Sequence, residues 1–457
     1  MTKQNSKRTA AIVGAGIAGV TAALGLQRAG FDVTIYSDRD QKSLRDDVPA
    51  TGTALVFGEA QAAESALGLD TYADRAPNHT GLSVRIAGPG RERPELIGFD
   101  GFFDGFVGLA VDTRLKADER LTTFLEQGGT FVVDRVDTDS LDRIAGENDL
   151  TLVATGKGGL SELFPIDEER SVYDAPQRHL LTVTVKGLGY GPEVFAHRST
   201  EGGAHSLFSI FADQGEAWWG PYLHKDAGPT WAFLAWARPG SDWDERFAKA
   251  DSAASALQIA KDLYRDYIDW DLPEVQSAQV IEEDPHSWLK GAVRPVVRRG
   301  VGVTASGHPV AALGDTAVAY DPIAGQGAQS GLIQAQRLVA AAAAHEGAFD
   351  ADWITEQYND FLAARSDAAN KVTRLFLSDP EFAEIGGKFF AAAAVDQRVA
   401  STLVSTLHKP QPLLEINSLA DADGLLEAIT GENADELVSR FQPAGRFERS
   451  TYEPAAV

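Results

Sequence analysis

Ala10-Ala11-Ile12-Val13 runs directly into Gly14-Ala15-Gly16-Ile17-Ala18-Gly19, then a helical stretch from Val20 to Ala29 and a second strand, Phe31 to Tyr36. Strand, glycine turn, helix and strand in that order leave few folds open. The two strands must lie parallel, with the helix crossing over between them. Glycine at the first position permits the tight turn, at the second lets backbone approach an anion, and at the third lets helix and strand pack closely. The unpaired N–H groups opening such a helix suit a diphosphate. Gly14, Gly16, Ile17, Ala18 and Gly19 are therefore the expected dinucleotide contacts. The ribose-binding acid is expected at the end of the second strand. Ser37 holds that position and Asp38 follows it, so either is a candidate.

The rest of the chain extends this α/β reading. Arg114 to Gln127 has helical periodicity, Gly128-Gly129 breaks it, and Thr130 to Val133 reads as a strand. Leu150 to Ala154 is another apolar strand, ending at Thr155-Gly156-Lys157-Gly158-Gly159. From Leu180 to Arg238 β-branched residues and aromatics dominate, among them Trp218, Trp219, Tyr222, Phe233 and Trp236, which predicts an antiparallel sheet. Phe247 to Trp270 reads as helical. Val310 to Leu313 is an apolar strand before Gly314-Asp315, and a glycine-rich turn, Asp321 to Gly327, opens a helix over Ala328 to Ala344. Helices are expected around Trp353–Phe376 and Phe389–Leu407. The predicted division is a first dinucleotide-binding part over residues 1–170, a β-sheet substrate domain over 171–288, a second dinucleotide-binding part over 289–345, and a helical region over 346–457.

Composition excludes several activities. The net charge of −25 repels phosphate backbones and anionic lipid, so neither nucleic acid nor a membrane is an expected partner. With no Cys, disulfides, thiolate metal sites and Cys nucleophiles are out. The nine His residues include no pair three or four apart, so no metal site is expected. Neither G-x-S-x-G nor a P-loop occurs. The polar start MTKQNSKRTA lacks a signal-peptide core, which makes a cytoplasmic protein the expectation.

Leu313-Gly314-Asp315 and Asp321-Pro322-Ile323-Ala324-Gly325-Gln326-Gly327-Ala328, paired with the N-terminal glycine turn, resemble the flavoprotein monooxygenase superfamily. The resemblance implies a Rossmann-like FAD-binding domain split around a substrate domain. It places Asp315 on the ribitol and the segment Pro322, Gly325, Gln326, Gly327 and Ala328 against the isoalloxazine. Further segments are similar to the two-component styrene and indole monooxygenases. Val111-Asp112-Thr113-Arg114-Leu115 resembles their V-D-x-R-L, implying that Arg114 contacts FAD. Val153-Ala154-Thr155-Gly156-Lys157 resembles their strand-end T-G-K, and Ser37-Asp38-Arg39 their T-D-R; Val136 would lie by the adenine.

The resemblance implies reduced FAD (FADH2) delivered by a separate NADH-dependent flavin reductase. Oxygen would add at flavin C4a, and the hydroperoxide would oxygenate a small apolar aromatic or heteroaromatic substrate such as styrene or indole. No catalytic side chain is implied. Thr155 stands where single-component, NAD(P)H-using relatives carry an Asp. The family's Asn-x-Val-x-His pocket pattern would fall at Thr51, Thr53 and Leu55, none of which matches, so a differently shaped pocket is expected. Thr51, Leu55, Trp218 and Tyr222 are the candidate substrate contacts, alternate aromatics of the sheet lining a pocket or simply forming core. A single-component aromatic hydroxylase, a flavin-dependent halogenase and a non-catalytic flavin sensor are the alternatives. The oligomeric state is open, a homodimer included.

Overall fold

The computed structural model describes residues 7–50, 55–89, 95–189, 194–195, 197–198 and 206–443. Two sheets organise it. The first has six strands in the order Val301–Val303, Pro309–Ala312, Leu150–Val153, Thr9–Val13, Asp32–Ser37, Thr130–Val133. All neighbours are parallel except the hairpin of Val301–Val303 with Pro309–Ala312. Thr9–Val13 is central and nearly all apolar because helices cover both faces; Ala10, Ala11 and Ile12 are 0% exposed. Asp32–Ser37 lies on one side of this strand and Leu150–Val153 on the other. Its carboxyl end is therefore a topological switch point, where such sheets bind ligands.

The second sheet runs Gln279–Val280, His179–Lys186, Gly228–Ala237, Gly215–His224, Ser206–Phe211, Gly81–Ala87, Glu95–Phe102, with Trp288–Ala292 also paired to His179–Lys186. It is antiparallel except where Ser206–Phe211 runs parallel to Gly81–Ala87. That exception marks a difference from the expected division. Two of its strands come from within residues 1–170, so the sheet is assembled from separated stretches of chain.

Side chains alternate across this sheet as the two-residue period requires. Ala217, Trp219 and Phe233 face the helix Ala253–Tyr267. Trp218, Tyr222, Leu234 and Trp236 share a core with Val372, Phe376, Phe389, Leu403 and Leu407 of the C-terminal helices. Burial of each such side chain is worth about 1.5–3 kcal/mol, so those helices are integral to the fold. The single helix expected over Trp353–Phe376 is interrupted. Ala351–Phe361 and Asp367–Phe376 are joined by a π turn, Leu362–Ser366. Among the described residues, no helix is long and apolar enough to cross a membrane, and no His/Cys/Asp/Glu cluster could hold a metal.

Candidate active site

The three N-terminal glycines have different reasons to be glycine. Gly14 has φ +115° and its N–H donates to the Tyr36 carbonyl at 2.8 Å; a Cβ there would lie 2.3 Å from the Ala154 oxygen. A Cβ on Gly19 would lie 2.1 Å from the Gly14 oxygen. Both positions are closed by the protein itself. Gly16 is not: nothing lies within 4 Å of where its Cβ would be. It caps the helix Ile17–Arg28 without a side-chain hydrogen bond, and the first turn contains no acid. The helix thus begins with unpaired N–H groups and open space, a cradle shaped for an anion.

Around this cradle the structure gathers most of the expected cofactor residues. Cβ atoms placed on Gly314 and Gly331 would be 3.3 Å and 3.6 Å from the Ala18 Cβ, so the helix Gln326–Ala344 and the Gly314–Thr316 turn close one wall. Asp315 lies on that turn, paired with Lys157 at 3.5 Å; both side chains are over 40% exposed. Such a pair contributes little stability and leaves the carboxylate accessible to a ligand hydroxyl. The Gly156 N–H donates to Thr316 Oγ1 (3.0 Å), whose hydroxyl donates back to the Gly156 carbonyl (3.1 Å), tying the Thr155-Gly156 turn to the Asp315 turn. Ser37 is buried at the end of its strand, and its Oγ accepts from the Arg39 N–H at 3.3 Å; Asp38 and Arg39 are exposed. Val136 is half-buried against a core that includes Val13 and Leu141.

The second glycine loop begins at Asp321, whose Oδ1 accepts from the Ile323 N–H at 3.1 Å. Gly325 follows with φ +62°, and the helix starts at Gln326, two residues before the expected Ala328. No Cβ contact closes Gly325, whereas a Cβ on Gly327 would be 3.7 Å from Asp315 Oδ1. The Gln326 side chain is buried away from this opening. Its amide donates to the carbonyls of Ala324 (2.8 Å) and Leu407 (3.1 Å), and its oxygen accepts from Arg365. Only the backbone of Gln326 is left to face a ligand. Gln329 adds a second brace, donating to the Gly325 carbonyl at 3.0 Å and accepting from the Phe57 N–H at 3.1 Å.

Arg365 was not foreseen, although it secures the loop. It sits in the π turn, a device that re-aims side chains within a helix, and also donates to Glu59 Oε2 (2.8 Å) and the His408 carbonyl (3.0 Å). Removing one partner of such a buried network is costly. Arg365→Met is expected to lower unfolding free energy by about 3 kcal/mol and to weaken FAD binding. Unchanged urea denaturation would show that the brace carries no load.

Above the loop lies a narrow apolar cleft of about 50 Å³, part of it open to solvent. Its floor is Pro322–Gly325, and its walls come from both sheet and helices: Phe208, Trp218 and Trp236 on one side, Phe376 and Leu407 on another. Leu55, Phe57 and Phe103 complete it, with Phe57 and Phe103 edge to face at 5.3 Å. Of the candidate substrate contacts, Leu55 and Trp218 line this cleft. Thr51, like Thr53, lies outside the described residues. Tyr222 is absent from the lining. Four residues along a strand from Trp218 is about 13 Å, which carries it toward Asp112 and Arg114, whose charges act on its phenol. A wider groove between Gln326–Ala344 and Ala351–Phe361 lies off the glycine loops.

Arg114 is buried and heavily engaged. It binds Asp112 through Nε (3.0 Å) and Nη2 (2.8 Å), Asp284 through Nη2 (2.7 Å), and the Val48 carbonyl through Nη1 (3.2 Å). One Nη1 proton remains beyond these bonds, so its guanidinium is chiefly a link from the helix Thr113–Glu126 to Asp284, in the connection between Gln279–Val280 and Trp288–Ala292, and through it to His224 at the end of a strand of the second sheet.

Asp321 is the other residue the sequence did not single out. It is 1% exposed, and its Oδ2 has no hydrogen-bond partner. Burial pushes its carboxyl up to about 7, opposed by Arg178 and Lys157 and reinforced by Glu216. Arg178 and Glu216 form their own bidentate pair at 2.8 and 2.9 Å. Asp321 is thus a carboxyl that gives up its proton only around neutral pH, at the foot of the loop.

An open helix N-terminus at a switch point, a Gly-Asp turn and a second glycine loop under an apolar cleft make up a split-Rossmann flavin-binding fold, and the chain is similar to flavin-dependent monooxygenases. It is similar to styrene monooxygenase in particular. The model for the styrene monooxygenase A putative substrate binding domain matches residues 156–273, and an NAD(P)-binding Rossmann-like domain matches residues 12–45. Styrene monooxygenase StyA of Pseudomonas fluorescens is 26% identical over 325 residues, and that of a Pseudomonas species 28% over 337; each match spans 70% of this chain and 74% of the relative. Among solved structures, a flavin-dependent brominase superposes with a TM-score of 0.58 at 15% identity, covering 88% of this chain and 93% of that one. Tetrameric 2-methyl-3-hydroxypyridine-5-carboxylic acid oxygenase gives 0.57 at 16% identity, covering 87% and 96%.

Proposed function

We propose that this chain is the oxygenase of a two-component system, using reduced FAD from a separate NADH-dependent flavin reductase. It would insert one oxygen atom of O2 into a small apolar aromatic or heteroaromatic substrate such as styrene or indole, by epoxidation or sulfoxidation. The observation that carries this is the apolar cleft seated directly on the Pro322–Gly325 loop. Reduced FAD, when bound, supplies the electrons that activate O2. The cradle at Gly16 and Ile17 would hold the diphosphate, Asp315 a ribitol hydroxyl, and Ser37 or Asp38 the ribose. The backbone opening Gln326–Ala344 would face the pyrimidine edge, where the helix's positive end favours an anionic ring. The hydrocarbon side chains of the cleft orient the substrate and exclude water. No side chain is assigned as acid or base; the chain's contribution is position and dryness.

The two-component reading is supported by Thr155 in place of an Asp and by the sequence containing a single G-x-G-x-x-G turn after a strand. NADH or NADPH alone is expected to bleach enzyme-bound FAD negligibly under anaerobic stopped flow. Chemically reduced FAD without any reductase, mixed with O2 and styrene or indole, is expected to give oxygenated product by mass spectrometry. Rapid bleaching by NADH would move the chain to the single-component class, and absence of product across an aromatic panel would remove the oxygenase reading.

A further inference from the structure

Two indoles line the cleft, and apart from them its lining side chains are hydrocarbon. Trp218 is stacked on His79 at 6.0 Å. Trp236 is 3% exposed, and its Nε1–H has no acceptor among the described residues. A buried donor left unpaired is costly, and the cost disappears if something in the cleft accepts from it. Other tryptophans with no acceptor counted at Nε1, Trp219 and Trp243, lie on the opposite face of the sheet, packed against Tyr264 and Phe211. Trp236 differs in lining a cavity. Its register partner across the strands is Glu216, already held by Arg178, so that carboxylate does not supply the missing acceptor.

We propose that Trp236 is a specificity-determining residue: its Nε1–H selects flat, uncharged aromatic molecules bearing one hydrogen-bond acceptor, such as a ring carbonyl or ring nitrogen, over their pure hydrocarbon counterparts. This deepens the oxygenase reading and rests on it only for calling the ligand a substrate. The apolar walls contribute binding that is the same for both classes. The single donor discriminates, because a ligand without an acceptor leaves the indole N–H unpaired in a dry site. A neutral hydrogen bond of ordinary strength corresponds to a preference of about threefold to tenfold.

The test uses the full chain with 1-indanone and indane, which differ by one carbonyl, titrated calorimetrically with and without oxidised FAD. Wild-type protein is expected to bind 1-indanone about threefold to tenfold more tightly, and Trp236→Phe, which keeps an aromatic ring and removes the donor, to abolish the difference. In uniformly 15N-labelled wild-type protein, the Trp236 indole resonance is expected to move downfield with 1-indanone and to stay in place with indane. This second measurement decides the matter should the variant fail to fold. Equal affinities, a preference that survives in Trp236→Phe, or an indole resonance indifferent to the carbonyl would overturn the proposal. A preference present with and without FAD, together with no oxygenated product in the reduced-FAD assay, would leave this selectivity standing and remove only the oxygenase reading.

Discussion

Gly16→Val should abolish FAD binding while leaving the fold nearly intact. Nothing lies within 4 Å of the Cβ position at Gly16, and its φ of −70° is one that any L-residue adopts. The new Cβ therefore meets open space, and the methyl groups on it would extend into the cradle proposed for the diphosphate. Losing the charge-assisted hydrogen bonds of the helix N-terminus, each about 1.5–3 kcal/mol, corresponds to a fall in affinity of at least about a hundredfold. Gly14→Ala provides the contrast. Its Cβ would be driven into the Ala154 oxygen at 2.3 Å, at a φ of +115°, so the protein itself should be destabilised. Isothermal titration with FAD and thermal unfolding of both variants separate the two effects. If Gly16→Val bound FAD normally, the cradle would not hold the diphosphate.

What was legible in the sequence was what short-range chemistry dictates. The glycine turn, the strands beside it and the Gly-Asp turn are each fixed by residues within a few positions of one another, and the structure brings Gly14, Gly16, Gly19, Thr155, Gly156 and Asp315 to one crevice. Contacts made across tens of residues or more were not legible. Gln326 reads as a ligand-facing residue until Leu407 and Arg365 are seen to claim its amide. Arg114 reads as a cofactor contact, yet Asp284, 170 residues later, takes part of its guanidinium. Trp218 and Tyr222 have the same parity in one strand and so face the same way, but distance along the strand separates them. The π turn hid Arg365, since one extra residue per turn shifts the helical phase that would have marked it as inward-facing.

The C-terminal helices gain a definite task from these contacts. They and the turn that follows Gln397–Ser405 supply Phe376 and Leu407 to the cleft and, through Arg365 and the Leu407 carbonyl, hold the loop on which a flavin would rest. A sequence-based reading has little access to this, because such helices pack by generic apolar periodicity and carry no motif of their own.

Asp321→Asn should remove a loss of stability that the wild-type protein suffers as the pH rises from about 4 to 7. The Asp321 carboxyl is pushed from its ordinary 3.8 up to about 7, chiefly by burial. A group with a higher pKa folded than unfolded binds its proton more tightly in the native state. Stability therefore carries no penalty from it below about pH 4, falls as pH rises toward 7, and bears the full penalty above 7. At about 1.4 kcal/mol per unit, the penalty reaches up to about 4 kcal/mol. Asparagine keeps the oxygen that accepts from the Ile323 N–H and cannot ionise. Any cost of its unpaired amide is the same at every pH. The difference in unfolding free energy between variant and wild type, measured in urea, should thus shift by several kcal/mol in favour of the variant between pH 4.5 and pH 8. Parallel pH profiles would mean that the buried oxygen is hydrated and titrates normally. The sign also bears on flavin: a carboxylate formed here above pH 7 opposes the positive end of the helix that the loop opens, so reduced FAD should bind more weakly to wild type, and not to the variant, as the pH passes through 7.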